Sequence, residues 1–124
     1  MKIKILPKIN IYILIFAFIF INSHKLFSYE VIDVCAKYLN TNKGYLVEAN
    51  IYGGDELNER TNSYNYDFYS TYAVIWWAQG QATVIKITDF VSNHSLRGSY
   101  FPVRGHDQQG YPWSVQSCSG YCIC

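Results

Sequence analysis

Cys35 stands alone near the front of the chain, while Cys118, Cys122 and Cys124 crowd into the closing stretch CSGYCIC. Four cysteines allow three complete pairings, and every one of them ties Cys35 to the C-terminal tail. A chain tied in this way must bring an early segment and a late one together in a single fold. Cys122 with Cys124 would close a very short, strained ring. The expected pairs are therefore Cys118–Cys122, with Ser119-Gly120 allowing the bend, and Cys35–Cys124. The competing arrangement joins Cys35 to Cys122 or Cys118 instead. A link from Cys35 to the tail closes a long loop and contributes about 3–5 kcal/mol by the loop-entropy argument. The alternative use of four cysteines is a soft-metal site for copper(I) or zinc, which requires them to be reduced thiolates.

The compartment follows from the first residues. Lys2, Lys4 and Lys8 precede an unbroken apolar run from Ile11 to Ile21. As a helix this run is about 16 Å long at ~1.5 Å per residue, roughly half of a bilayer core of about 30 Å. A charged head, a short apolar run and a polar exit are the anatomy of a secretory signal. The expectation is a signal peptide over residues 1–28, cut after Ser28, with Ser23 as the other candidate. Neither has a small residue two positions earlier, since Leu26 and Ile21 stand there, so an uncleaved anchor is the alternative and the one route to membrane attachment. The protein is expected to be secreted or periplasmic, where an even cysteine count in a small domain points to disulfides.

Loss of the leader would change the charge. The chain carries ten Lys+Arg and nine Asp+Glu. Lys2, Lys4, Lys8 and Lys25 all precede Tyr29, whereas every carboxylate follows it, so residues 29–124 carry six cations against nine anions, a net −3. The cations form no stripe, which argues against nucleic-acid binding by phosphate neutralisation and against an anionic membrane surface. Residues 29–124 suffice for one domain and not two.

Within that domain strand-type residues dominate, and no convincing amphipathic helix is found. Ile32, Val34 and Ala36 alternate with polar residues after Glu30. LNTNKG, from Leu39 to Gly44, is a turn cluster. Tyr45, Val47, Ala49 and Ile51 then share a face, with Glu48 and Asn50 opposite, until Gly53-Gly54 breaks the strand. DELNERTN, Asp55–Asn62, reads as a surface loop in preference to one helical turn capped by Asp55.

The clearest hairpin runs through AVIWWAQGQATVIKI. Gln79-Gly80 makes a two-residue turn, with glycine supplying the positive φ. That register pairs Trp77 with Ala82, Ile75 with Val84 and Ala73 with Lys86 on one face. Trp76 with Thr83, Val74 with Ile85, and Tyr72 with Ile87 fall on the other. Both faces are apolar, so the hairpin is expected to be covered on both sides, or else to leave a Trp77/Ile75/Val84 patch for a partner. Trp76, Val74 and Ile85 are assigned to the core. Ser92–Pro102 reads as an exposed loop. Asp107-Gln108-Gln109-Gly110 has turn chemistry, and Pro112 after it, lacking an N–H, predicts an edge strand or a bulge. The fold class is all-β: a small antiparallel barrel or sandwich of five to six strands.

Function is less constrained. The stretch SYNYDFYSTYAVIWW concentrates aromatic residues, which serve either a core or a binding face where rigid rings give area at low entropic cost. The first expectation is a non-enzymatic binding module with a glycan or protein partner, including an enzyme it inhibits, and with Tyr64, Tyr66 and Trp77 as contact residues. The second is a small hydrolase using the acidic segment (Glu56 and Glu59, with Glu48 and Asp55 nearby) and His106. The third is a soft-metal carrier through Cys35, Cys118, Cys122 and Cys124. His94 and His106, each alone in a polar stretch, make no metal set, and no cofactor is expected.

Overall fold

The alternation legible in the sequence closes into a barrel. The computed structural model describes residues 29–97, 101–118 and 122–124, so the expected signal peptide, residues 1–28, lies outside the described residues. Six strands follow one another: β1 (Glu30–Tyr38), β2 (Lys43–Gly53), β3 (Thr71–Ala78), β4 (Gln81–Ile87), β5 (Val103–His106) and β6 (Pro112–Ser117). Each pairs antiparallel with the next, and β6 pairs with β1 to close the ring. The interior is filled by every second residue: Ile32, Val34 and Ala36 of β1, Ala49 and Ile51 of β2, Ala73 and Ile75 of β3, Ile85 and Ile87 of β4, then Val103, Trp113 and Val115. Three of the inward side chains are alanines with no exposed surface, because a six-stranded ring has little room at its axis.

The β3–β4 hairpin has the expected turn, with Gly80 at φ +79° and Ala78 paired to Gln81. Its register is not the expected one. Trp77 is an extra residue in a β-bulge, so the next pair is Trp76 with Ala82, followed by Val74 with Val84, Ala73 with Ile85 and Tyr72 with Lys86. A one-residue slip moves every side chain to the other face. Here it turns Ile85 and Ile87 into the barrel and Lys86 out to water, where the unbulged register would have set Lys86 beside Ala73. Trp76, expected in the core, is instead 59% exposed on the outer face. The Trp77/Ile75/Val84 patch does not form, since Ile75 is fully buried inside the barrel.

The outer face of this hairpin is covered by a second apolar cluster of Tyr52, Leu57, Tyr72 and Val74, with Tyr66, Ala82 and Val84 packed against it. The cover is a helix where a loop was expected: α1, Gly54–Thr61. Asp55 and Glu56 in its first turn and Arg60 in its last suit the helix dipole. Asn62, left-handed at φ 51°, closes the end with its N–H turned back on Asn58 and Glu59 carbonyls. An eight-residue helix is unstable alone, and the burial of Leu57 on the sheet holds it. The start is Gly53, not Asp55, and it makes no side-chain cap bond.

Two further expectations change. Ser92–His94 is a 3₁₀ turn, and Leu96 after it is buried in the core, whereas Ser92, Asn93, Arg97, Phe101 and Pro102 are exposed, so the expected exposed loop holds except around Leu96. Residues 98–100 lie outside the described set. Pro112 sits at the first position of β6, where a strand can dispense with the N–H, and β6 is flanked by β5 and β1 without an edge. The Asp107–Gly110 turn forms as expected: Gly110 takes φ +87°, and Asp107 Oδ1 accepts the amides of Gln109 and Tyr111, both at 2.9 Å. The disulfides are Cys35–Cys124 and Cys118–Cys122, with Cα separations of 5.4 and 5.1 Å.

Candidate functional site

Between α1 and β3 the chain makes a short loop, residues 62–70, and its backbone is anchored by three side chains. Asn58 donates to the Tyr66 carbonyl and accepts the Tyr66 amide, both at 2.9 Å. The Tyr72 hydroxyl accepts the Asp67 amide at 2.7 Å. Asp67 in turn accepts the Ser70 hydroxyl at 2.9 Å and the Tyr69 amide at 3.2 Å. Those two bonds, with Lys86 at 3.5 Å, hold the Asp67 carboxyl below its ordinary pKa. Gly54 lets the loop close on the helix: a side chain there would run into the Asp67 carbonyl.

Fixed in this way, the loop still points rings at water. Tyr64 is 99% exposed, Tyr69 85% and Phe68 57%. Tyr64 and Phe68 border a hollow of about 230 Å³ whose other walls are Asp55, Asn58, Glu59, Asn62 and Ser63. Tyr66 is half-buried, its ring edge-on to Tyr72 at 5.2 Å. Trp77 belongs to a different group. It is 40% exposed, donates its indole N–H to Thr83 at 2.7 Å, and packs on Tyr45 at 5.2 Å and Trp113 at 6.5 Å. Tyr45 lies by the Tyr38 end of β1, whereas α1 lies by the Glu30 end. The nine residues of β1 put these ends about 27 Å apart at ~3.3 Å per residue. Tyr64 and Tyr66 thus share one neighbourhood, and Trp77 stands in another.

A second recess, of about 490 Å³, opens beside α1 on the Glu30 side. The Glu30 carboxylate there is saturated: it accepts the Ser95 hydroxyl at 2.7 Å and the amides of Leu96 and Arg97 at 2.9 and 3.2 Å. Arg97 Nε lies 3.5 Å from it. His94 Nδ1 meets the hydroxyl of buried Thr71 at 2.6 Å. Burial pushes the pKa of Glu56 up, opposed by Arg60 at 3.4 Å; the neighbouring charge of Asp55 raises it further and that of His94 lowers it. The sequence gives no sign of this cluster, since Thr71 and His94 are 23 residues apart. Both Asn93 and His94 hold positive φ, 56° and 51°, a conformation that few residues other than glycine adopt.

The histidine beside the acidic helix is therefore His94. His106 is exposed at the end of β5, paired with Lys86 and Pro112, and Glu48 faces outward on β2 opposite Asp33. His106 is not among the residues that line either the recess beside α1 or the hollow by Tyr64. All four cysteines are in disulfides, which leaves no thiolate for a soft metal, and among the described residues no group of His, Cys, Asp and Glu converges as metal ligands. No protein-family model, curated protein or solved structure matches the chain.

Proposed function

We propose that this chain is an exported, non-enzymatic module that binds a glycan through the 62–70 loop, with Tyr64 and Phe68 as stacking surfaces. What carries the reading is the combination in one short loop of rings facing water and a backbone held by Asn58, Asp67 and Tyr72. Aromatic side chains exposed without purpose are a solubility cost, and rigid ones bind with little loss of entropy. A sugar ring offers an apolar face to an aromatic plane and a rim of hydroxyls. The hollow beside Tyr64 matches this with one ring wall and a shelf of carboxylate, amide and hydroxyl groups. Its volume lies below the ~300–1,000 Å³ of drug-sized pockets, which suits a single sugar ring. Export is supported by the leader-like N-terminus and by the paired cysteines.

The test is retention on immobilised oligomers of glucose, N-acetylglucosamine, galactose and mannose. At least one is expected to be retained, with Tyr64→Ala and Phe68→Ala each weakening it by about tenfold, the equivalent of ~1.4 kcal/mol, while the melting temperature stays unchanged. No retention on any of the four, or retention that ignores both substitutions, overturns the reading.

A further inference from the structure

The larger recess has unspent chemistry. Glu30 is fully occupied and neutralised by Arg97, and Glu56 is paired with Arg60. What remains are Asp55 and the Nε2 edge of His94, whose Nδ1 is committed to Thr71. These two converge on one point. A side chain built on Gly53 would come within 2.6 Å of Asp55 Oδ1 and 3.1 Å of His94 Nε2. Both border the same recess and crowd the same point beside the bare Gly53, so one hydroxyl entering from the recess can reach both. A hydroxyl both donates and accepts, and so satisfies a carboxylate and an imidazole nitrogen together. Asp55 also borders the hollow next to Tyr64, and so is common to the two recesses.

We infer that the Gly53–Asp55–His94 recess is a second sugar subsite, contiguous with the first across the start of α1, so that a glycan of two or more units straddles the helix with Asp55 at the junction. This inference rests on the glycan reading above and extends it to the length of the ligand. It also sets the ligand's charge. With Glu30 and Glu56 neutralised by their arginines, Asp55 and Glu59 are the lining carboxylates outside those pairs, which selects neutral sugars over acidic ones. The bare Gly53 is required because a side chain there would push Asp55 and His94 out of place.

The experiment is a calorimetric titration with oligomers of one to four units of whichever of the four sugars is retained. Wild-type protein is expected to bind the two-unit oligomer at least tenfold more tightly than the single unit. His94→Asn keeps a group able to meet Thr71 and a residue type tolerant of positive φ, but removes Nε2. It is expected to lower two-unit affinity to the single-unit level and to leave single-unit affinity unchanged. Gly53→Ala is expected to do the same. Tyr64→Ala weakens both lengths.

In parallel, the imidazole carbon-bound proton of His94 is followed by NMR. It is expected to shift with the two-unit oligomer and not with the single unit, while the His106 signal stays fixed, a readout that needs no variant to fold. Equal affinity for one and two units, or an unmoved His94 signal at saturation, overturns the second subsite and leaves the Tyr64 site standing. Binding that is indifferent to Tyr64→Ala overturns the glycan reading of the loop, and absence of binding to every oligomer overturns both.

Discussion

The two aromatic groups of this barrel are built from the same residue types and face in opposite directions. At the Tyr38 end of β1 the rings look at one another: Tyr38 lies 5.2 Å from Trp113 and 6.0 Å from Tyr111, and Tyr45 lies 5.2 Å from Trp77. In the 62–70 loop Tyr66 and the Phe68–Tyr69 pair have ring neighbours, and among the described residues Tyr64 has none. The difference comes from the backbone beneath them. On strands, alternate residues are turned toward a shared interior. In the loop, the hydrogen bonds that would be made along a strand go to Asn58, Asp67 and Tyr72 side chains, and the rings are left outside. Aromatic density is thus no guide to use; what decides is whether the backbone hydrogen bonds run to a neighbouring strand or to side chains.

Several measurements would break that contrast or sharpen it. Trp113→Ala removes a buried ring whose indole N–H also donates to Asp107 at 3.0 Å, and should cost about 3–5 kcal/mol in urea unfolding. A loss under about 1 kcal/mol would mean that this end is as loosely held as the loop. Replacing Cys35 and Cys124 together by serine is expected to cost about 2–5 kcal/mol, read by the same method. Trp77→Ala, at the rim of the packed group, should cost about 1–2 kcal/mol from its lost indole bond and ring contact. A neutral effect there, with lost partner binding, would move Trp77 from the packed group to the displayed one.

The smallest effects are in the pH dependence and in the loop itself. Glu56 has a raised folded pKa, so the stability it contributes is fully present below its ordinary value of 4.5 and is lost as the pH rises through the folded value. Glu56→Gln should therefore gain a few tenths of a kcal/mol at neutral pH, since the exposed Arg60 pairing it gives up is worth about as little, and should match wild type below pH 4.5. Asp67 behaves oppositely: its contribution is present above its ordinary 3.8 and is lost as the pH falls through the lower folded value. Order in the loop, followed by the Tyr66 and Tyr69 amide signals, should persist on acidification to pH 3.8 and fail only below it. Tyr64→Ala should change stability by less than ~0.5 kcal/mol, and a larger loss would show that its ring is held after all.

Much of the barrel was legible because alternation carries it. Ile32, Val34, Ala36, Ala49 and Ile51 fall on the inner face that period two assigns them, and the Asp107–Gly110 turn is written in its first and last residues. The hairpin register was not legible, because a bulge at Trp77 leaves no mark in composition and inverts everything beyond it. Helix α1 escaped for another reason: Leu57 is its one apolar residue of any size, too little to set a period, and its stability comes from packing on Tyr52 of the strand before it and on Tyr72 and Val74 of β3. Leu96 similarly reads as one apolar residue among polar neighbours until Glu30, some 66 positions earlier, binds its amide. The grouping of His94 with Thr71 and Asp55 is likewise tertiary, and only the exposure of Tyr64 follows from the polar character of the residues around it.

Closure of the ring by its first and last strands has a consequence for the order of events in folding. Val34 meets Ser117, so this ladder cannot begin until nearly the whole domain has left the ribosome or crossed a membrane. Strands β1 to β4 can pair with their sequence neighbours, across α1 in the case of β2 and β3, but the outward edge of β1 stays open to any extended chain until β6 arrives. The Cys35–Cys124 bond ties β1 to the tail that follows β6, with Cys124 lying against Gly44 of β2. Its formation therefore requires that the end of the chain has come back to the first strand. In a maturing population, the fraction carrying that cross-link would count the molecules whose last strand has been brought back within reach of that open edge.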